Sequence, residues 1–475
     1  MPESAQAVSS PVASQLRREL GLWDIVLFNI AAVVAVRWIA SAARIGPSAL
    51  ALWLLAVLFF FLPCALTVTE LATRFPAEGG YYVWTREAFG EWHGFACGWI
   101  AWWSNLVYFP NLALAITGMG VYMAGPRYLW LSENRWFLLA GSLVIFWIPV
   151  LTNLVGLRVG KWTENVGGLA LGLAGALLVG AGILYWARSA SATSFAASQL
   201  VPNWSFHELN YWSQIAFALV GIELAPVMSE EMRHPQRDIP RAALLSSFAI
   251  AAIFMLGTAA LLLILQARDV NVVTGVVQAV QAAGERMNAP WLGPVMAVTT
   301  VVGLTGQLGA WVTGAARLPF VIGLDRRLPA AFGRVHPRWR TPHVALLVQG
   351  IVSTVLLLMS QIGETARGAY LLLVDMSVIA ALVYYVYFFL ALIRLRHDPR
   401  RGSAPAHVLV PGGQPGVILV GGIGAVVTLL AIALALAPPP DTASVWLFEL
   451  KSVGGTLLAL GVGAVFYFRR RGTAT

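Results

Sequence analysis

Twelve times along this chain a stretch of about twenty residues passes with scarcely a charged side chain, and that recurrence decides the class of fold. The stretches fall at 22–44, 47–71, 92–124, 136–156, 166–187, 208–229, 242–265, 290–322, 342–362, 370–393, 416–437 and 452–468. Roughly twenty apolar residues in a helix cross the hydrocarbon of a bilayer. Within that hydrocarbon no water satisfies backbone N–H and C=O groups, so such segments must bond internally as helices. The expected fold is an all-α polytopic membrane protein of about twelve transmembrane helices. Composition agrees: 58% of the 475 residues are hydrophobic and 11% charged, too few charges to cover a soluble domain of this size. Nineteen Trp and twelve Tyr suit aromatic belts at two membrane interfaces.

A net charge of +9 invites a nucleic-acid reading, but the basic residues sit at span ends and form no single patch. They report topology. With the N-terminus placed inside, the inner loops hold 21 of the 31 Lys and Arg, the outer loops hold 8, and Arg37 and Arg317 fall within spans. This bias predicts an inner-membrane protein with both termini cytoplasmic. Residues 1–20 lack an apolar signal core and read as a cytoplasmic tail. Cys64 and Cys97 lie in apolar stretches and read as small core residues, with no disulfide framework. The chain carries no phosphate-cradling Gly-x-x-x-x-Gly-Lys run, no His-Glu-x-x-His, no paired Cys or His spacing and no Gly-x-Ser-x-Gly nucleophile. Neither enzymatic chemistry nor a cofactor or metal is expected.

Two spans contain features that an ordinary membrane helix avoids. Span 1 places Arg37 among small residues, and span 6 places Gly221 and Glu223 in mid-membrane with Pro226 following. A buried charge in hydrocarbon costs several kcal/mol unless paired or hydrated, so it commonly marks a function. Helices broken at corresponding positions of two halves point to a transport site near the midplane. Spans 1 and 6 are five apart, as an inverted repeat of five plus five spans requires.

Three segments are more specific. After span 2 the chain reads Glu70-Leu-Ala-Thr-Arg-Phe-Pro-Ala-Glu-Gly-Gly-Tyr-Tyr-Val-Trp; after span 6, GIELAPVMSEEMRHPQRDIPRA from Gly221; after span 8, LPFVIGLDRRLPAAFGRVHPRWRTPHVAL from Leu318. Their order and placement resemble the amino acid–polyamine–organocation transporter superfamily, in particular its glutamate/GABA and arginine/agmatine antiporter branch. The Pro-x-x-Gly-Gly turn reverses the backbone at the membrane surface. Glu230, Glu231, Arg233, Arg237 and Asp238 are placed to form an ion-pair cluster that closes the cytoplasmic face. The resemblance implies a leucine-transporter-like fold: a first half at 21–195, an inverted second half at 207–395, and two peripheral helices at 416–475.

It also implies site residues. The family's span 1 break is a Gly-Ser-Gly run whose N–H groups hold a carboxylate, but here the stretch is Val36-Arg37-Trp38-Ile39-Ala40-Ser41. Arg37 either replaces that cradle, gripping a carboxylate bidentately, or pairs with an acid such as Glu223 or Asp375 and fastens helices. Glu223 matches a Glu linked in those relatives to proton sensing and gating. Trp311, in Gly-Gln-Leu-Gly-Ala-Trp, matches a Trp that stacks on substrate. Asn105 and Tyr108 of span 3, Phe217, Val220 and Gly221 at the span 6 break, and Ser377 of span 10 match other lining positions. Arg317, nearer the cytoplasmic end of span 8, calls for snorkelling or an acid partner.

The helix 5 stretch from Val166 to Tyr185 lacks the Lys that stands in for sodium in proton-coupled relatives, and the chain's lysines are Lys161 and Lys451 alone. This tilts the expectation toward exchange of amino acids or amines by alternating access. A proton-coupled amino acid or polyamine symporter is the near alternative, and a non-transporting sensor, suggested by Arg37, a remote one. Expected partners are a small-molecule substrate and the lipid bilayer, not nucleic acid; nothing in the sequence specifies an oligomeric state.

Overall fold

The computed structural model describes residues 18–360, 366–398, 408–436 and 445–471. Residues 1–17 of the expected tail, Arg400 and Arg401, and the side chain of Asp375 lie outside the described residues. The first apolar stretch forms two helices, α1 (Leu22–Val33) and α2 (Arg37–Ala43), bent by 44° at their junction. There follow α3 (Ala49–Arg74), α4 (Tyr81–Phe89), α5 (Glu91–Gly120), α6 (Arg135–Val155), α7 (Leu157–Arg188), α8 (Phe206–Ala218), α9 (Pro235–Ile264) and α10 (Gly275–Arg286). The remainder are α11 (Leu292–Leu324), α12 (His343–Ser360), α13 (Ala366–His397), α14 (Gly413–Ala435) and α15 (Val445–Arg471).

Each of the twelve apolar stretches carries a helix. Among the described residues, nine helices are long and apolar enough to cross a bilayer, and the bent α1–α2 pair makes a tenth. The sixth stretch does not pass as one helix because α8 stops at Ala218 and the chain resumes as a 3₁₀ segment, Ala225–Glu231. Both expected breaks are therefore present.

Small residues set how closely the helices approach. A Cβ added to Gly306 of α11 would lie 2.4 Å from the Cα of Gly167 on α7, and one added to Gly168 would lie 2.5 Å from the carbonyl oxygen of Leu27 on α1. The Gly167–Gly168 pair thus seats α7 in backbone contact with both α11 and α1, the small-residue packing that membrane helices use. Within α3 the helix widens to a π turn at Val57–Phe61, just before Pro63. Proline offers no N–H to the preceding turn, which favours such a bulge. The turn carries Phe60 onto the ring of Tyr385, 5.4 Å away.

One end of the bundle is rich in arginine, and several segments lock together there. Gly79 and Gly80, both at positive φ, let the turn after α3 dock on the 3₁₀ segment, where the Gly79 N–H donates to the Val227 carbonyl at 2.9 Å. The backbone at 19–20 caps this junction, with the Glu19 and Leu20 N–H groups both donating to the Glu231 carbonyl. The expected ion-pair cluster differs in its partners. Glu231 is buried and is held by Arg317 of α11, whose Nε and Nη2 donate to its two oxygens at 2.8 and 3.1 Å. Arg233 and Arg237 face solvent instead, with Arg237 near Asp238 at 3.9 Å. Nearby, Arg86 and the Tyr82 hydroxyl both donate to Asp325. Burial, and then the adjacent Asp325 carboxylate, pushes the Tyr82 phenol up, so it stays a donor.

Candidate functional site

The two breaks meet around a small cavity. Its walls are Ala32, Val33 and Trp38 from the α1–α2 junction, Ser104, Asn105 and Tyr108 of α5, Phe217, Ala218 and Val220 at the end of α8, Trp311 of α11, and Ala381 and Tyr384 of α13. Of the residues expected at a site, the structure brings Trp38, Asn105, Tyr108, Phe217, Val220 and Trp311 onto this wall. Val36, Arg37, Ser41, Gly221, Glu223 and Ser377 do not line it. All six are buried.

Four aromatic rings form a box. Trp38 meets Phe217 edge to face at 5.6 Å, Tyr108 meets Phe217 at 6.1 Å, and Tyr108 meets Trp311 at 5.6 Å. These are the separations that aromatic pairs prefer. The indole N–H of Trp311 donates to the Ala32 carbonyl at 2.8 Å, and Gln307 Nε2 donates to the same oxygen at 3.1 Å. Helix α1 ends there, leaving carbonyls without intrahelical partners, and α11 supplies donors for one of them. The free volume is about 10 Å³, room for a single water. A larger guest therefore needs the walls to part.

Behind the α8 end lies a second constellation. Glu223 accepts from the Tyr384 hydroxyl at 3.0 Å, from the Tyr385 hydroxyl, and from the Gly221 N–H at 2.9 Å. Gly221 also donates to Tyr385 at 3.1 Å. The carboxylate thus binds the unwound backbone of the break to α13. Gly221 has φ +134°, and a Cβ there would lie 3.1 Å from Val33 Cγ2 and 3.2 Å from the Ala32 carbonyl. Gly221→Ala is therefore expected to cost about 1–3 kcal/mol, read as a lower midpoint of thermal unfolding in detergent. An unchanged midpoint would show that the breaks are not held in this contact.

Arg37 does not pair with Glu223. Its Nη1 donates to Asn111 Oδ1 at 2.7 Å, and its guanidinium carbon lies 4.6 Å from the Trp38 ring centroid and 5.3 Å from that of Tyr108. Arg317, by contrast, has the acid partner that its depth demands. Ser377 donates to the Leu373 carbonyl at 2.6 Å, inside its own helix. Two turns further along α13, Tyr384 reaches the cavity instead. That residue, with Tyr385, Gln307 and Asn111, was missed from sequence; the Tyr-Tyr pair at helical spacing from Ser377 was the available signal. Among the described residues no group of three His, Cys, Asp or Glu side chains is arranged to hold a metal.

Comparison with known proteins agrees with this architecture. A family profile described as amino acid permease matches residues 20–451. The chain is 31% identical to an uncharacterised transporter of Legionella pneumophila over 455 residues, covering 95% of this chain and 97% of that one. It is 23% identical to a probable agmatine/putrescine antiporter of Lactococcus lactis, covering 85% and 84% respectively. It is 26% identical to a serine/threonine exchanger of Bacillus subtilis, covering 83% and 88%. Broken helices enclosing an aromatic box, a profile spanning nearly the whole chain and a full-length relative lead to one assignment: the chain belongs to the amino acid permease family of multi-pass membrane transporters.

Proposed function

We propose that the protein exchanges amino acids or related amines across the membrane by alternating access, with the aromatic cavity between the two breaks as its substrate site. The observation that carries this reading is the meeting of both breaks on one small aromatic-lined cavity. Irregular backbone at membrane depth is tolerated where it lines such a site. Residues 21–195 and 207–395 act as the two inverted halves, and the arginine-rich face is the cytoplasmic one by the positive-inside rule. Opening toward that face requires the Glu231–Arg317 junction to separate. Exchange is favoured because two of the relatives carry the names antiporter and exchanger.

The test is uptake into proteoliposomes across radiolabelled amino acids and amines, with and without unlabelled substrate inside. Uptake only into preloaded vesicles supports exchange, and no uptake of any compound overturns the reading. Phe217→Ala removes a wall ring that has no hydrogen bond to lose. It is expected to raise the KM of the transported compound about 3- to 10-fold, and an unchanged KM would take the aromatic box out of the site.

One observation favours proton-coupled symport as the second reading: Glu223 is a buried carboxylate tied directly to a break. Uptake into empty vesicles driven by an imposed proton gradient would put that reading first.

A further inference from the structure

Arg37 and Arg317 are both buried within spans, and among the described residues Arg317 alone of the two holds a carboxylate. Arg317 closes its Nε/Nη2 edge on Glu231, one oxygen to each nitrogen. Arg37 is fully buried, yet among the described residues its own Nε and Nη2 have no hydrogen-bond partner. These two N–H groups are parallel and form the side-on fork that matches both oxygens of a carboxylate. A guanidinium does not deprotonate in a protein, so the charge must be met in some other way. Asn111 offers one neutral oxygen, and the Trp38 and Tyr108 rings offer their faces. No carboxylate of a described residue lies within 4 Å of it; Glu223 is committed to Tyr384, Tyr385 and Gly221.

Resting on the site proposed above, we infer that Arg37 is the recognition group for the substrate's carboxylate, and that dications without a carboxylate are excluded. The fork replaces a backbone cradle. At the α1–α2 junction the Trp38 and Ile39 N–H groups already donate to the Ala35 and Val36 carbonyls, so neither is offered to a ligand. The same guanidinium sets the selectivity. Trp38 and Tyr108 line the cavity, and an aromatic box with a cation already against two of its rings is a poor place for a second. Like charges repel most where water is excluded. A zwitterionic or acidic amino acid instead brings the oxygens that the fork lacks. The carboxylate reaches Arg37 when the walls part, since the closed cavity is too small to admit it.

The experiment uses the full chain in proteoliposomes preloaded with each compound tested: radiolabelled glutamate, serine, putrescine and agmatine. Wild type is expected to exchange at least one of the two amino acids and neither putrescine nor agmatine. Arg37→Met is expected to raise the KM for that amino acid about 10- to 100-fold, the worth of hydrogen bonds to a charged group. Arg37→Lys, which keeps the charge and loses the fork, falls between. Exchange of putrescine or agmatine by wild type overturns the inference without any variant, and leaves the transport reading standing. So does an unchanged KM in a folded Arg37→Met. Asp375→Asn is run in parallel; an equal KM effect there would make Arg37 the counterion of Asp375, and the inference falls. If wild type exchanges none of a wider panel of amino acids and amines, both readings fall.

Discussion

Arg317→Met is expected to destabilise the fold by about 3–5 kcal/mol, the cost of breaking a buried ion pair by deleting one partner. The guanidinium meets Glu231 through two hydrogen bonds and lies 3.9 Å from Glu78, and all three side chains are almost wholly buried. It also donates to the Thr313 carbonyl at 2.7 Å. Deleting it leaves Glu231 and Glu78 buried together without their cation. Thermal unfolding in detergent reads the loss, and the double variant Arg317→Met/Glu231→Leu is expected to recover much of it. A single variant as stable as wild type would show that the junction is hydrated and not a closed gate. The same cluster sets a pH response. Burial first, and then the Glu231 carboxylate, pushes the Glu78 carboxyl well above the usual range, against the pull of Arg317. The folded state therefore binds this proton more tightly than the unfolded chain. The resulting stability is full below about pH 4, the ordinary Glu value, and is lost as pH rises through the raised one. Thermal midpoints are expected to fall with rising pH over that window, and Glu78→Gln to flatten the curve.

The second large effect is at Glu223. Glu223→Ala leaves the Tyr384 and Tyr385 hydroxyls without their acceptor, at about 1–3 kcal/mol for each buried donor, and leaves the Gly221 N–H to Tyr385 alone. These groups hold the break in span 6 to α13, so flux is expected to fall below detection along with stability. Glu223→Gln keeps one acceptor oxygen and similar volume. It is expected to fold, to transport at least about tenfold more slowly, and to lose any dependence of flux on pH. A Glu223→Gln protein with wild-type flux and an unaltered pH profile would confine the carboxylate to fastening two helices.

The positions of the spans were readable because hydrocarbon imposes a local rule. Each segment must be apolar and bonded within itself, and hydropathy over twenty residues records this whatever the neighbours are. For the same reason the breaks were readable: Arg37, Gly221 and Glu223 violate that rule in place. The Pro-x-x-Gly-Gly turn announced itself by residues that only a backbone reversal needs.

What those exceptions bond to was decided by the tertiary structure. Arg37 meets Asn111 74 residues away, Arg317 meets Glu231 86 residues away, and Tyr385 meets Glu223 162 residues away. Each pairing depends on the rotation of a helix about its own axis and on how closely its neighbours approach. The approach is set by contacts such as Gly167 against Gly306, which no window of sequence contains. Ser377 and Tyr384 lie two turns apart on α13, and whether one or the other faced the cavity was fixed by where that helix packs along the bundle. Hydropathy is a property of the segment alone, whereas register and pairing are properties of several helices packed together.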